Sequence, residues 1–423
     1  MKVCNKNLIS IVFKETIKKI KDQMLHIVRI KISYILLLFL LSIFKINAQN
    51  LTEKQFIEDL EFLKTELPKK HKNLFGKISE RKFNQKILEI EKKRQSLNNE
   101  TFEIELYKLI KKIGDEHTRI EPKYRNIFPI YFDFFKEGIF VVKTDSIHSK
   151  LMYKKLNGIE THTIKSVIND YKRIIKDDNK SYFEIYFLNF INNPSVLKGL
   201  NITKSNSEVK FILDNQEFPI LATNKENSAL TKNTQLLRFK HKDNYWYELI
   251  ENNKTMYFNY QDCAEQDGKT FEIFNNELFN AIEIQKPEKL IIDLRNNSGG
   301  NSAILKPFLE KLKTNYLNKK GSLYILIGKK TFSSALMNAI DLKRNYNSIL
   351  IGEPTSGNVN HYGETRGFYL PNSKIIIGYS TKYWENWKGY SGSLKPDIQI
   401  DYSIENFKNN IDEAIEYIKQ LEF

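Results

Sequence analysis

The stretch "LYILIGKKTFSSALMNAI", Leu323–Ile340, decides how the second half of the chain is read. Leu323–Ile327 is an unbroken apolar run closed by Gly328. A run of that length without alternation suits a strand buried on both faces. Beyond a short polar turn, Ala335, Leu336, Ala339, Ile340 and Leu342 recur at helical spacing. Two adjacent serines, Ser333 and Ser334, stand between strand and helix. A serine there can cap the helix by accepting from its orphan N–H groups. A strand-to-helix turn is also where a nucleophile meets the positive end of a helix dipole. The turn alone leaves both readings open.

Working outward, "KLIIDL" (Lys289–Leu294) and "SILIG" (Ser348–Gly352) are two more buried runs with helical patterns between them. They predict βαβ units, and so an α/β domain over 245–423. In "LIIDLRNNSGG" the strand ends at Asp293 and Arg295 and breaks at Gly299-Gly300. A double glycine there offers bare backbone N–H groups to a ligand, or simply makes a tight turn. The spacing is neither a P-loop nor a dinucleotide fingerprint. "GEPTSGNVNHYGETRGFYLP", Gly352–Pro371, follows the third run and supplies His361 and Glu364. "FYLPNSKIIIGYS" predicts a hairpin turning at Pro371-Asn372-Ser373, and Glu385 follows in "STKYWENW".

Residues 50–125 read as an N-terminal helical domain. Its first helix has a Thr52–Gln55 capping box and places Phe56, Leu60, Leu63 and Leu67 on one face. Gly114 closes the third helix, so His117 in "GDEHT" falls just past a helix end. Residues 126–240 alternate like strands and form a small β-rich module, with a helical insertion near 182–198.

Residues 1–48 read as an export signal: Arg29 and Lys31, the apolar run Ile32–Phe44, then small Ala48 at the cleavage edge. The run is shorter than the roughly 20 residues of a membrane span, so membrane contact is expected only if the segment stays uncleaved. The exported chain would begin near Gln49, in the periplasm or outside the cell. It would keep only Cys263, which excludes an internal disulfide or a cysteine metal site and reads as structural. The net charge is +15, but residues 1–48 carry nine Lys/Arg against two Asp/Glu, leaving about +8 for the rest. The remaining lysines are dispersed and no binding motif accompanies them, so no nucleic-acid partner is expected. With 41% apolar residues among 423, a sizeable core is available.

A serine nucleophile needs a base, and histidine is the commonest. Of the six histidines after residue 48, only His117 and His361 lie in stretches dense with glycine and acids. Taken in order, "LIIDLRNNSGG", "KTFSSA", "LIGEPTSGN" and "LKPDIQI" resemble the peptidase domain of the C-terminal processing (tail-specific) serine peptidases. "GDEHT" resembles the histidine segment of their tricorn-like branch. The resemblance is strong over 290–400 and weaker over 50–125. It implies a crotonase-like α/β peptidase domain, often preceded by a PDZ-like module, of which "LMYKKLNGIETHTIKSVI" is faintly reminiscent. It also implies a peptide or protein substrate and no metal or other cofactor.

Carried over by position, Ser334 matches the nucleophile and His117 the base. The N–H groups of Gly299, Gly300 and Ala335 match the oxyanion hole. An acid late in the chain should orient the histidine, Glu364 before Glu385, whereas Asp115 and Glu116 lie too close in sequence to His117 to be preferred. Ser334 is expected at the mouth of the helix, with Ser333 facing elsewhere. One departure stands out. The Ser–Lys members carry a lysine after "GEPT"; here that position is Asn358 or a neighbour, and no Lys or Arg lies between Arg344 and Arg366. Either His117 is the base, or the chain is an inactive peptide- or hydrophobe-binding protein on the same fold.

Overall fold

A computed structural model describes residues 50–121, 125–225, 230–231, 235–252 and 254–421. The export segment read over residues 1–48 lies outside the described residues.

The sheet predicted around Leu323–Ile327 has six strands. Tyr245–Ile250 pairs antiparallel with Thr255–Tyr260. Lys289–Asp293, Leu323–Ile327, Ile349–Gly352 and Ile398–Gln399 then follow in parallel. Successive side chains of a strand point to opposite faces, so each apolar run feeds two cores. Phe258, Leu290, Ile292, Leu323 and Ile325 pack under the helices Phe271–Gln285, Lys306–Lys313 and Ser333–Asn345. Tyr257, Ile291, Tyr324 and Leu326 pack on the other face, against Ala414, Ile415 and Ile418 of the helix Glu413–Gln420.

On that second face Arg295 is buried between two carboxylates. Its guanidinium donates to Asp293 through Nε (3.0 Å) and to Asp412 through both terminal nitrogens, at 2.7 and 2.9 Å. Both partners keep the arginine charged, and Asp412 is held down to about 2 by the Arg295 and Arg238 charges against the opposing effect of burial. Removing one member of such a pair leaves an uncompensated buried charge, at a cost of about 3–5 kcal/mol.

The N-terminal helices Glu53–Lys70, Glu80–Lys92 and Asn99–Lys111 form where expected, and Thr52 and Gln55 make the reciprocal capping box. One continuous apolar core joins them to the following segment, running from Phe56 and Phe102 through Phe187 to Phe211. That segment contains the hairpin Ile130–Phe135/Gly138–Asp145 and a four-stranded sheet from His162–Thr163 and Leu156–Ile159 to Glu208–Leu213 and Gln216–Leu221. The helices Ile164–Tyr171, Lys180–Phe190 and Pro194–Gly199 complete it.

A long hairpin ties the two halves together. Asn360–Tyr369 pairs with Ile376–Glu385, and Arg119–Glu121 adds a third strand against Ile376–Gly378. Gly114 at φ +77° ends the run after the third helix, and the buried residues Asp115–Thr118 lead directly into this strand. His117 is thus carried to the C-terminal ends of the parallel strands, where ligands bind in open α/β sheets.

Candidate active site

The turn between Ile327 and the helix is held at three points. The Thr331 hydroxyl donates to Leu294 O (2.8 Å) and accepts from Gly328 N–H (3.0 Å). Phe332 N–H donates to Asn297 O (3.2 Å). These bonds over-determine the backbone, which is what lets a strained residue persist. The strained residue is Ser333, at φ +49°, a conformation that β-carbon sterics make uncommon for any residue but glycine. The helix cap is Phe332, and no side-chain hydrogen bond caps the helix. Neither serine is the cap, so the first N–H groups stay available.

The two serines part company here. Ser333 is half-buried and lines a cleft of about 420 Å3 that also holds His117, Asn296, Ser298 and Phe332. Ser334 is only 7% exposed, and its hydroxyl donates to Gly300 O (2.6 Å). The expectation that Ser334 stands at the mouth of the helix is therefore corrected. The left-handed turn at 333 aims Ser333 into the cleft and tucks Ser334 under the glycine loop.

That loop is stitched just as firmly. The Asn297 carboxamide accepts from Gly299 N–H (2.9 Å) and donates to Tyr260 O (3.0 Å). Cys263 N–H donates to Gly299 O (3.0 Å) and Asn301 N–H to Cys263 O (2.7 Å). A β-carbon at Gly299 would lie 2.8 Å from Ser333 Cβ and 3.1 Å from Ser334 N, and one at Gly300 would lie 2.4 Å from Cys263 O. Glycine at both positions is what allows the loop to touch the serine turn. Two of the expected oxyanion donors are spent: Gly299 N–H on Asn297, and Ala335 N–H on Phe332 O (3.1 Å). Gly300 N–H and Ser334 N–H have no acceptor among the described residues. Cys263 is buried, and burial pushes its thiol up to about 11.

His117 is 3% exposed and lies between two rings, stacked on Phe332 at 4.4 Å and on His361 at 5.2 Å between centroids. Neither ring nitrogen has a hydrogen-bond partner. Burial first, then the His361 ring, holds its pKa down to about 3, so at neutral pH the imidazole is uncharged. Its neighbours in sequence build the wall behind it. Asp115 accepts from His117 N–H (3.0 Å), the His71 ring (3.1 Å), and the Thr118 and Ser380 hydroxyls. The His71 bond first, then the Lys176 charge and the two hydroxyls, hold its carboxyl well below the usual range despite burial. Glu116 Oε2 accepts from Asn358 N–H (2.9 Å) while Oε1 is buried without a partner, and burial pushes this carboxyl up. The carbonyl of the same Asn358 accepts from His361 Nδ1–H (2.8 Å). The backbone at the position where a lysine was sought thus links Glu116 to His361.

Neither expected acid reaches the imidazole. Glu364 and Glu385 are exposed. Glu364 sits at φ +55° between the pairs Gly363↔Lys382 and Thr365↔Ser380, where the register continues unchanged but Glu364 itself makes no ladder pair. The sequence reading had set aside Glu116, and the contributions of Thr331 and Asn297 were not seen in it. A threonine two residues before a strained serine is the one local sign that was available.

The chain shares its fold with mature CPAF complexed with lactacystin, at a TM-score of 0.60 and 13% identity over 87% of this chain and 97% of that one. A mutant of CPAF gives 0.61 at 12% identity, covering 87% and 96%. The photosystem II D1 C-terminal processing protease is a more distant neighbour, at 0.39 and 10% identity over 82% and 93%. No protein-family model matches the chain, and no curated protein is similar to it in sequence.

Proposed function

We propose that the chain is an exported serine peptidase in which Ser333, not Ser334, is the nucleophile. The observation that carries this is the strained Ser333 turn opening into the cleft that holds His117. In this reading the six-stranded layer is the crotonase-like peptidase domain, and the Leu156–Leu221 sheet belongs to the PDZ-like module. Ser333 Oγ attacks the scissile carbonyl carbon while His117 takes the hydroxyl proton. The oxyanion meets the N–H groups of Gly300 and Ser334, at the positive end of an uncapped helix. Losing one such donor typically costs about 3 kcal/mol of barrier. Collapse expels the amine, which receives the proton from His117. A water deprotonated by the same ring then hydrolyses the acyl ester and frees Ser333. The flanking Phe332 and His361 rings, rather than a carboxylate, fix the imidazole plane.

A second reading has one observation in its favour. His117 has no carboxylate partner, as it would in a peptide-binding protein on this fold. Labelling with a fluorophosphonate probe separates the two. An activated Ser333 reacts and Ser333→Ala does not; a parent that never reacts sinks the peptidase reading.

A further inference from the structure

The cleft at Ser333 is assembled from two parts of the chain. Lys330, Phe332 and Ser333 come from the turn after Ile327, whereas Ile185, Tyr186 and Asn189 come from the helix Lys180–Phe190. The start of that helix is bonded to the loop after Gly352. Asn179 Nδ2, at its N-cap, donates to Ser356 O (2.9 Å), and Ser181 Oγ donates to Pro354 O (2.7 Å). Neither bond touches the serine turn. Lys329 belongs to that turn and reaches both of the other segments. Its Nζ lies 2.8 Å from Glu184 Oε2 on the helix and 3.1 Å from Glu353 Oε1 on the loop. The Lys329 side chain is 16% exposed and that of Glu184 8%. Burial opposes the charge, but Glu353 and Glu184 outweigh it and keep the ammonium charged. Glu353 is fixed in turn by its own N–H, which donates to Ile327 O (3.1 Å). Charges held this far from water attract one another more strongly than exposed pairs do. Beside the lysine is a second cavity of about 70 Å3, lined by Lys329, Glu353 and Phe134 and sharing Ile185, Asn296 and Lys330 with the cleft. Packing alone therefore does not hold the helix at this seam.

We propose that Lys329 is a positioning residue for the cleft: by drawing Glu184 and Glu353 together it fixes the helix Lys180–Phe190 at the separation from the Ser333 turn that a bound polypeptide chain requires. This rests on the peptidase reading in taking that chain to be a substrate, but the binding it describes does not require turnover. A small electrophile that reaches Ser333 alone does not span the two walls, so its reaction is indifferent to the link.

The test sets two readouts side by side in the full-length chain. Lys329→Met alone leaves two buried carboxylates without their cation. The variant used is therefore the neutral triple Lys329→Met, Glu184→Gln, Glu353→Gln, with folding checked by circular dichroism. Glu184→Gln alone, which keeps the Lys329–Glu353 pair, is the milder variant if the triple does not fold. On a Ser333→Ala background, binding of fluorescein-labelled unfolded casein should be about tenfold weaker in the triple, the scale of one lost charge-assisted contact. Glu184→Gln should weaken it in the same direction. Lys329→Arg, which keeps the charge between the two carboxylates, should bind casein as the parent does. With Ser333 in place, the rate of fluorophosphonate labelling should be the same in the triple and the parent. Casein affinity unchanged in the folded variants, a parent that binds no casein, or a Lys329→Arg loss as large as that of the triple overturns the inference. So does a labelling rate that falls in step with casein binding, since Lys329 would then support only the serine turn. The peptidase reading is judged separately, by whether the parent labels at all, and the casein comparison holds without it.

Discussion

Around Ser333 the polar groups of the turn and glycine loop are largely committed: Thr331 to Leu294 and Gly328, Asn297 to Gly299 and Tyr260, Ser334 to Gly300. Around His117 the accounting is left open: both ring nitrogens and one Glu116 oxygen are buried without partners. The two walls of one cleft are thus built by opposite means. Ser333, the proposed nucleophile, is placed by backbone that cannot relax, and the free N–H groups beside it are what remains after all other bonds are made. His117, the proposed base, is placed by packing between rings, which fixes its plane and leaves its nitrogens for whatever binds. On the proposed mechanism, such a site holds its electrophile-binding side rigid and completes its proton-transfer side only with substrate in place.

The sharpest way to break this contrast is at the serines. Ser333→Ala should lose fluorophosphonate labelling and hydrolysis by a factor on the order of a million, the scale seen when a nucleophile is removed. Ser334→Ala should keep both, and the reverse outcome would show that the turn does not present Ser333. Next comes His117→Ala, whose loss should be of similar size; the double variant with Ser333→Ala should be no worse, since members of one unit are not additive. Full activity in His117→Ala would mean that the ring is packing alone.

The pH profile gives a smaller effect. With His117 held down to about 3, the acid limb of kcat/KM should lie well below the ordinary histidine value of about 6.5. His361 is the second cause of that depression, so His361→Asn should move the limb upward. A parent profile that falls at about pH 6.5 would show that water reaches the imidazole. The same shift appears in stability. Between about pH 3 and about 6.5 the unfolded histidine holds a proton that the folded one lacks, so this contribution rises with pH through that window and is complete above it. His117→Phe should flatten that part of a urea-denaturation series. The smallest effect is the stability loss in Ser334→Ala, about 1 kcal/mol for the hydroxyl bonded to Gly300.

Much of the scaffold was legible because it rests on runs of five or six apolar residues, and those runs report burial directly. Leu323–Ile327 and Lys289–Asp293 became parallel neighbours as their lack of alternation implied. The choice between two adjacent serines was not legible. It depends on the sign of one backbone angle at 333, which is fixed by a threonine hydroxyl reaching a carbonyl 37 residues earlier. The outward placement of Glu364 was hidden for a similar reason. Its carbonyl takes a bond from the Thr381 hydroxyl across the hairpin, and no local pattern around 364 announces that contact. His361 stood out by composition, but its stacking on His117 follows from the third strand of the hairpin, a contact between distant parts of the chain.

The Arg295 clamp has a consequence for the order of synthesis. Asp412 follows Arg295 by 117 residues, so at ordinary elongation rates of roughly 5–20 residues per second it leaves the ribosome about 6–23 s later. During that interval the strand end carrying the glycine loop holds a guanidinium with only half of its eventual counter-charge. Full neutralisation of this buried arginine waits for the residue that caps the helix Glu413–Gln420.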